Sequence, residues 1–225
     1  MKQEFYKRIL SSLVLIPISL FFIIKGSIFF NFFVMVILII ALYEWHFLSI
    51  KKIYYLPGFA FIIFSFYTFY FIGNQSDTGS FFHKIYFFLI LITCVATDIG
   101  GYVFGKIFKG PKITKISPNK TYAGMLGGFV LSIISASLYF NNLSFLSLSQ
   151  SKGEMGIQIF LIVLTISLIS QVGDFVISFF KRKSKLKNTG NIIPGHGGLL
   201  DRIDGMIFAF PFAYLIFKIN IFQYF

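Results

Sequence analysis

The feature that most constrains this chain is a series of long apolar stretches separated by short polar segments. An α-helix that crosses a bilayer needs about 20 mainly apolar residues. Stretches of this kind predict an all-α, polytopic membrane protein with about seven transmembrane helices, at 9–24, 28–47, 53–72, 85–104, 123–140, 157–180 and 205–224. The composition agrees, because 56% of the residues are hydrophobic and only 12% are charged. These values exclude a soluble enzyme, a secreted domain and a disordered chain.

The charge distribution predicts the orientation of these helices. The chain has 20 Lys and Arg residues against 8 Asp and Glu residues. If the N-terminus is cytoplasmic, all the basic residues fall in cytoplasmic segments except Lys25, Lys84, Lys152 and Lys218. Cytoplasmic loops of membrane proteins are enriched in Lys and Arg. Most of the excess positive charge is therefore explained by membrane topology. The remainder is expected in loops that bind phosphate or anionic lipid headgroups. No nucleic acid partner is expected.

Two parts of the chain differ in their loops. Residues 1–80 form apolar helices with short connections and are predicted to be a scaffold. Residues 81–225 are predicted to be the catalytic transmembrane domain, with two basic cytoplasmic loops at about 106–120 and 181–202. The single Cys94 excludes a cysteine-based zinc site. No internal repeat supports an inverted-repeat transporter.

Carboxylates in or against the apolar stretches are the first functional signal. They are Glu44, Asp98, Asp174, Asp201 and Asp204. An Asp at the centre of a membrane helix costs roughly 2.5–3.5 kcal/mol, so such residues usually serve a functional site. The alternative is a structural carboxylate paired with Lys or Arg. This alternative is strongest for Glu44, which lies beside Trp45 at a predicted membrane edge, where anchoring would suffice.

Spacing within the segment QVGDFVISFFKR places four polar side chains together. Asp174, Ser178, Lys181 and Arg182 follow the pattern i, i+4, i+7 and i+8, so they share one helical face. Along this face a carboxylate and a hydroxyl are followed by two cations at the predicted membrane surface.

The segment PGHGGLLDRID supplies the second half of the predicted site. Asp201 and Asp204 share a helical face, and a glycine-rich turn precedes them. A glycine-rich turn at a helix N-terminus suits phosphate binding. His196 in this turn is either a proton carrier or ligand, or a residue that hydrogen-bonds the backbone. Carboxylates bind Mg²⁺ together with substrate phosphates, and Lys and Arg neutralise phosphate charge, so the set predicts phosphoryl or nucleotidyl transfer.

The first loop contributes a smaller set. Asp98 lies near the end of the fourth stretch, and Ser117, Lys120 and Thr121 begin the fifth with two hydroxyls and a cation. The glycines of these two stretches are spaced small-x-x-x-small, which favours close helix packing.

These residues resemble the signature of the phosphatidate cytidylyltransferases, also called CDP-diacylglycerol synthases. The segment SFFKRKSKLKNTGNIIPGHGGLLDRID matches the Ser, Lys-Arg, His-Gly-Gly and Asp-Arg-x-Asp elements of that signature at the right spacing. The SPNKT segment and Asp98 resemble blocks further upstream, and the resemblance covers about residues 97–205. Two positions depart from the family pattern. Asn188 stands where the signature has Asp, and Asn119 stands where Lys is usual.

The resemblance implies a reaction in which CTP and phosphatidic acid give CDP-diacylglycerol and pyrophosphate. It implies Mg²⁺ held by Asp174 and Asp201, with Asp204 and Asp98 as further candidate ligands. The implied catalytic residues are Asp174, Lys181, Arg182, His196, Asp201 and Arg202. The implied substrate-binding residues are Ser117, Lys120, Thr121, Ser178, Lys187, Gly197 and Gly198.

The implied setting is a bacterial inner membrane, with lipid as a partner and the active site facing the cytoplasm. A homodimer is left open. Two alternatives remain at this stage. One is a related CTP-dependent lipid or polyprenol kinase or cytidylyltransferase, which would share these loops. The other is an ion-coupled transporter, which would spread its Asp residues along a path through the membrane.

Overall fold

The chain folds as a bundle of long helices. The computed structural model describes residues 2–74, 80–114, 117, 120–145, 156–193, 195 and 197–218. Within these residues the helices are α1 (Lys2–Lys25), α2 (Ser27–Ser49), α3 (Tyr55–Gly73), α4 (Ser80–Phe108), α5 (Tyr122–Phe145), α6 (Ile157–Lys183) and α7 (Leu200–Lys218). Each predicted apolar stretch overlaps one helix, and the prediction of an all-helical protein is confirmed.

Length and composition make this a multi-pass membrane protein. In the described part of the chain, 5 helices are long and apolar enough to cross a membrane: Ser27–Ser49, Tyr55–Gly73, His83–Phe108, Tyr122–Asn142 and Ile157–Lys183. Leu13–Lys25 within α1 is a shorter apolar helix. α7 has 19 residues and opens with a charged first turn. Many large apolar side chains are exposed around the bundle, as Ile39, Ile63 and Leu138 illustrate, and this is the surface that lipid would cover.

The buried core joins the N-terminal helices to the C-terminal ones. Its main cluster includes Phe30 and Leu48 of α2, Phe87 of α4, Ile166 of α6 and Phe210 of α7. A smaller cluster joins α4, α5 and α6 around Leu89, Ala136 and Val163. Because α4 and α6 contribute to both clusters, the core connects the helices on either side of the two basic loops.

Helices α4 and α5 are held together by glycine. A Cβ atom on Gly124 would lie 2.6 Å from the backbone oxygen of Gly101, and one on Gly100 would collide with the backbone of Gly127. Only glycine permits backbones to approach this closely. The prediction of close packing for these small-x-x-x-small segments is confirmed, and this packing fixes Asp98 of α4 relative to the start of α5.

The turn between α2 and α3 lies at the same end of the bundle as the loop between α6 and α7. Ser184, which follows α6, donates a hydrogen bond to the backbone oxygen of Leu48 at 2.6 Å. The hydroxyl of Tyr54, which precedes α3, lies 2.9 Å from the Ser184 hydroxyl. The N-terminal helices therefore contact the second basic loop directly.

Candidate functional site

Asp174 joins the first basic loop to α6. Lys120, two residues before α5, donates a hydrogen bond from Nζ to Asp174 Oδ2 at 2.9 Å. The same ammonium group lies 4.2 Å from the ring centroid of Phe175. The Asp174 side chain is 24% exposed, so water and ligands can reach it. This contact brings together two segments that are 54 residues apart.

Asp201 organises the second loop. Lys181 at the end of α6 donates to Asp201 Oδ1 at 2.7 Å. The other oxygen, Oδ2, accepts bonds from the backbone amides of Thr189 at 2.9 Å and Gly198 at 3.2 Å. The Asp201 side chain is only 9% exposed. It therefore ties α6, the middle of the loop and the start of α7 to one carboxylate.

Two other carboxylates, those of Asp204 and Asp98, lie beside this arrangement. The Asp204 carboxyl is a close neighbour of the Asp174 carboxyl and lies within electrostatic range of Asp98. Asp98 lies within range of Asp174, Lys120 and Arg202. Asp204 is buried, whereas Asp98 is exposed. Carboxylates this close repel each other unless a proton or a cation lies between them.

The donor set suits a hard cation. Among the described residues, no three His, Cys, Asp or Glu side chains are preassembled as a metal site. Mg²⁺ does not need such a cage, because it is usually held by one or two carboxylates, with substrate phosphates and water supplying the remaining oxygens. Asp174 and Asp204 offer two adjacent carboxyls, and Asp98 is near. Asp201 is less prepared for metal, since both its oxygens already accept hydrogen bonds.

The predicted site residues occupy different positions around this centre. Arg182, Lys187 and Arg202 are exposed, and Ser178 is half-buried on α6. Ser117 closes a turn by accepting, through its backbone oxygen, a bond from the Lys120 amide at 3.1 Å. The Thr121 hydroxyl accepts a bond from the Gly124 amide at 3.1 Å and so caps α5. His196 lies outside the described residues.

Gly197 needs to be glycine. Its φ angle is +88°, a region that side-chain-bearing residues rarely adopt. A Cβ atom there would lie 3.2 Å from both the Asn188 side chain and Asp201 Oδ2. Asn188, which departs from the family pattern, is therefore close to the carboxylate of Asp201.

Glu44 belongs to this region, although the sequence pattern favoured simple anchoring for it. The residue is 1% exposed. Its carboxylate accepts bonds at 2.8 Å from the backbone amides of Leu199 and Leu200 at the start of α7 and from the Thr189 hydroxyl. The expectation of a structural role agrees with these contacts, but the donors are backbone amides and a hydroxyl rather than Lys or Arg. In the sequence, the feature that marks Glu44 as unusual is a single carboxylate within an apolar helix.

The fold and the site define a polytopic membrane protein with a carboxylate centre flanked by Lys and Arg at one end of its bundle. The chain belongs to the cytidylyltransferase family, which residues 47–220 match. A phosphatidate cytidylyltransferase of Rickettsia felis is 34% identical over 222 residues, covering 96% of this chain and 93% of the relative. The Rickettsia bellii protein of the same name is 33% identical over 219 residues, covering 96% and 91%. One from Bacillus subtilis is 38% identical over 132 residues, covering 58% of this chain and 46% of the relative.

Proposed function

We propose that this chain is a phosphatidate cytidylyltransferase, which makes CDP-diacylglycerol and pyrophosphate from CTP and phosphatidic acid. The observation that carries the proposal is identity of 34% across 96% of the chain to a protein of that name. The site supports it, because carboxylates and Lys residues meet at one end of the bundle rather than along a path through it. That arrangement suits phosphate chemistry better than ion transport.

The proposed reaction is a displacement at phosphorus. An oxygen of the lipid phosphate forms a bond to the α-phosphorus of CTP, and the bond from that phosphorus to the β-bridging oxygen breaks. Pyrophosphate leaves with that oxygen. The lipid phosphate is already ionised at neutral pH, so the site does not need a strong general base, and His196 is not required for proton transfer.

The roles that we assign follow from position and charge. Lys181 and Arg182 lie in the last turn of α6, and Arg202 lies in the first turn of α7. These three cations would neutralise the triphosphate and the departing pyrophosphate. Lys120 would turn from Asp174 toward a phosphate oxygen, since its ammonium group is already at the carboxylate centre. The further substrate contacts that we assign are Ser117, Ser178, Lys187 and the Gly197–Gly198 backbone.

The proposed metal ligands are Asp174 and Asp204, with Asp98 beside them. Mg²⁺ bound there would offset negative charge on the triphosphate and help to orient it. Asp201 would join the ligands only if Lys181 left it for phosphate. In this proposal its main task is to hold the Gly197–Gly198 turn and Lys181 in place.

We further propose that all seven helices cross the membrane, that the N-terminus and both basic loops are cytoplasmic, and that the membrane is a bacterial inner membrane. α7 spans about 28 Å at 1.5 Å per residue, close to the hydrocarbon thickness. Acyl chains would then stay in the leaflet while CTP enters from the cytoplasm.

The test is turnover by the purified full-length protein in detergent or lipid. CTP, phosphatidic acid and Mg²⁺ should give CDP-diacylglycerol and pyrophosphate in equal amounts. Diacylglycerol or a polyprenol supplied in place of phosphatidic acid should not react. A folded sample that phosphorylates either lipid, but makes no CDP-diacylglycerol, would assign the protein to a different reaction.

A further inference from the structure

Glu44 lies just outside the region that matches the family. It lies in α2, before the matched region of residues 47–220. Its carboxylate nevertheless reaches the centre of the α6–α7 loop, 145 residues away in sequence. The Glu44 oxygens accept the Leu199 amide, the Leu200 amide and the Thr189 hydroxyl, each at 2.8 Å. Free amides at a helix N-terminus need acceptors of this kind, and negative charge there is favourable.

The loop is shaped to receive this carboxylate. A Cβ atom on Gly190 would lie 2.7 Å from Glu44 Oε1, and one on Gly198 would lie 2.5 Å from Glu44 Oε2. Real Cβ atoms do not approach an oxygen so closely, so both positions leave room only for hydrogen. Two glycines, one hydroxyl and two backbone amides therefore surround one buried side chain from another part of the chain.

Thr189 links Glu44 to the candidate site. Its hydroxyl donates to Glu44, while its backbone amide donates to Asp201 at 2.9 Å. Asp201 in turn holds Lys181. The start of the loop is also tied to α2, because Ser184 donates to the Leu48 backbone oxygen. α2 thus contacts the beginning, the middle and the end of the loop that carries the proposed phosphate-binding residues.

We propose that Glu44 is a positioning residue for nucleotidyl transfer. It fixes the start of α7 and the loop before it, so that Arg202 and Lys181, which Asp201 holds, meet the substrates in register. This inference rests on the proposed function. It assigns the N-terminal helices a part in catalysis through the α6–α7 loop. Misplacement of a reacting group by about 1 Å can cost roughly 100-fold in rate, so a loop held by one carboxylate is a sensitive point.

The main variant is Glu44→Gln, which keeps the size of the side chain but replaces one oxygen acceptor by an amide group that cannot accept the Leu199 or Leu200 hydrogen. Glu44→Ala removes both acceptors, and Thr189→Val removes the hydroxyl link alone. Ser49→Ala is the matched control. Ser49 is also buried in α2, but its hydroxyl donates only to Trp45 within the helix.

Two measurements on the full-length protein test the proposal. Hydrogen exchange should show that the amide that loses its acceptor in Glu44→Gln, Leu199 or Leu200, exchanges at least about 10-fold faster than in wild type, and that both do so in Glu44→Ala, because opening is local. Turnover below the melting temperature should show kcat reduced at least about 10-fold, with KM for phosphatidic acid changed less than about twofold because the lipid contacts remain. Ser49→Ala should match wild type in both measurements.

Each other outcome overturns the proposal or a separate claim. Unchanged exchange in Glu44→Gln would show that Glu44 does not hold the loop. Faster exchange with unchanged kcat per folded molecule would reduce Glu44 to a purely structural cap. If Glu44→Ala fails to fold, Glu44→Gln and Thr189→Val still decide the matter. Wild-type protein that makes no CDP-diacylglycerol would overturn the proposed function, while the exchange result would still report on the Glu44 contact.

Discussion

Asp174 is the residue on which the proposed chemistry depends most. It lies where α6, the segment before α5 and Asp204 meet. Asp174→Asn should lower turnover by more than about 100-fold, since even partners that only orient a metal ligand contribute roughly 10–100-fold. The measurement is CDP-diacylglycerol formation across a Mg²⁺ titration, with the melting temperature as the check on folding. Near-normal activity at every Mg²⁺ concentration would leave Asp174 as a structural partner of Lys120.

Lys181 and Lys183 form a matched pair for testing charge at the second loop. Lys181 bonds to Asp201, whereas Lys183 lies over the rings of Tyr54 and Phe179. Lys181→Ala should raise KM for CTP by about 10-fold or more, because a charge-assisted contact to phosphate contributes on the order of 1.5–3 kcal/mol. Lys183→Ala should change KM less than about twofold. Equal effects of the two substitutions would indicate a general electrostatic contribution instead.

Asn188 gives a prediction about metal dependence. The Asn188 side chain and Asp201 Oδ2 each lie 3.2 Å from the point that a Cβ atom on Gly197 would occupy, so they are at most twice that distance apart. Asn188→Asp therefore places two carboxylates close together, and their repulsion is relieved by a divalent cation. The melting temperature of Asn188→Asp should fall in EDTA and recover in Mg²⁺, while wild type changes less. If EDTA and Mg²⁺ change the melting temperatures of the two proteins equally, residue 188 does not lie near a bound metal.

The sequence pattern identified Asp98, Asp174, Asp201 and Asp204 because charge in an apolar helix is costly and therefore conspicuous. Their partners could not be predicted in the same way. Lys120 pairs with Asp174 only because α5 packs on α4 and α6, and helix periodicity carries no information on that packing. Glu44 was identifiable for the same reason as the Asp residues. Its main partners, however, are backbone amides at the start of α7. Every residue except proline has a backbone amide, so the sequence does not indicate which amides will pair with Glu44.

At the scale of the helices, the apolar stretches predicted each helix, but several predicted helices are shorter than the observed ones. α6 runs on to Lys183, and α4 extends from Ser80 to Phe108, because polar residues continue a helix once it has formed. α7 begins at Leu200 rather than at residue 205. Its charged first turn is helical because Glu44 accepts the amides of Leu199 and Leu200. Helix ends depend on capping contacts from elsewhere in the fold, and hydropathy does not report them.

The glycine contact between α4 and α5 can be tested with two adjacent residues. A Cβ atom at Gly100 would meet the backbone of Gly127, whereas one at Gly101 would have its nearest neighbour at 3.8 Å. Gly100→Ala should force the helices apart and destabilise the protein by about 1–3 kcal/mol. Gly101→Ala should be neutral or stabilising, by up to about 1 kcal/mol, because alanine favours a helix. Thermal unfolding in one detergent compares the two, and similar losses would argue against this packing.

At the scale of the whole molecule, each helix is predicted to cross the membrane. Contacts at the helix ends agree with successive helices that cross in opposite directions. The end of α2 meets the segment that follows α6, and the segment before α5 meets α6. Both basic loops therefore lie at one end of the bundle. This end also holds most of the Lys and Arg residues of the chain, which predicts that it is cytoplasmic.

Single-cysteine labelling can test that orientation. Cys94 is buried and free, so Cys94→Ala gives a background without thiols. Lys52→Cys, in the α2–α3 turn, should react with a membrane-impermeant maleimide only in inverted vesicles. Asn142→Cys, near the opposite end of α5, should react only from the outside. Both positions are exposed, so a lack of reaction reports the membrane side rather than burial. The reverse pattern would place the carboxylate centre outside the cell, away from CTP. Labelling of both residues from one side would mean that α3, α4 and α5 do not alternate across the bilayer.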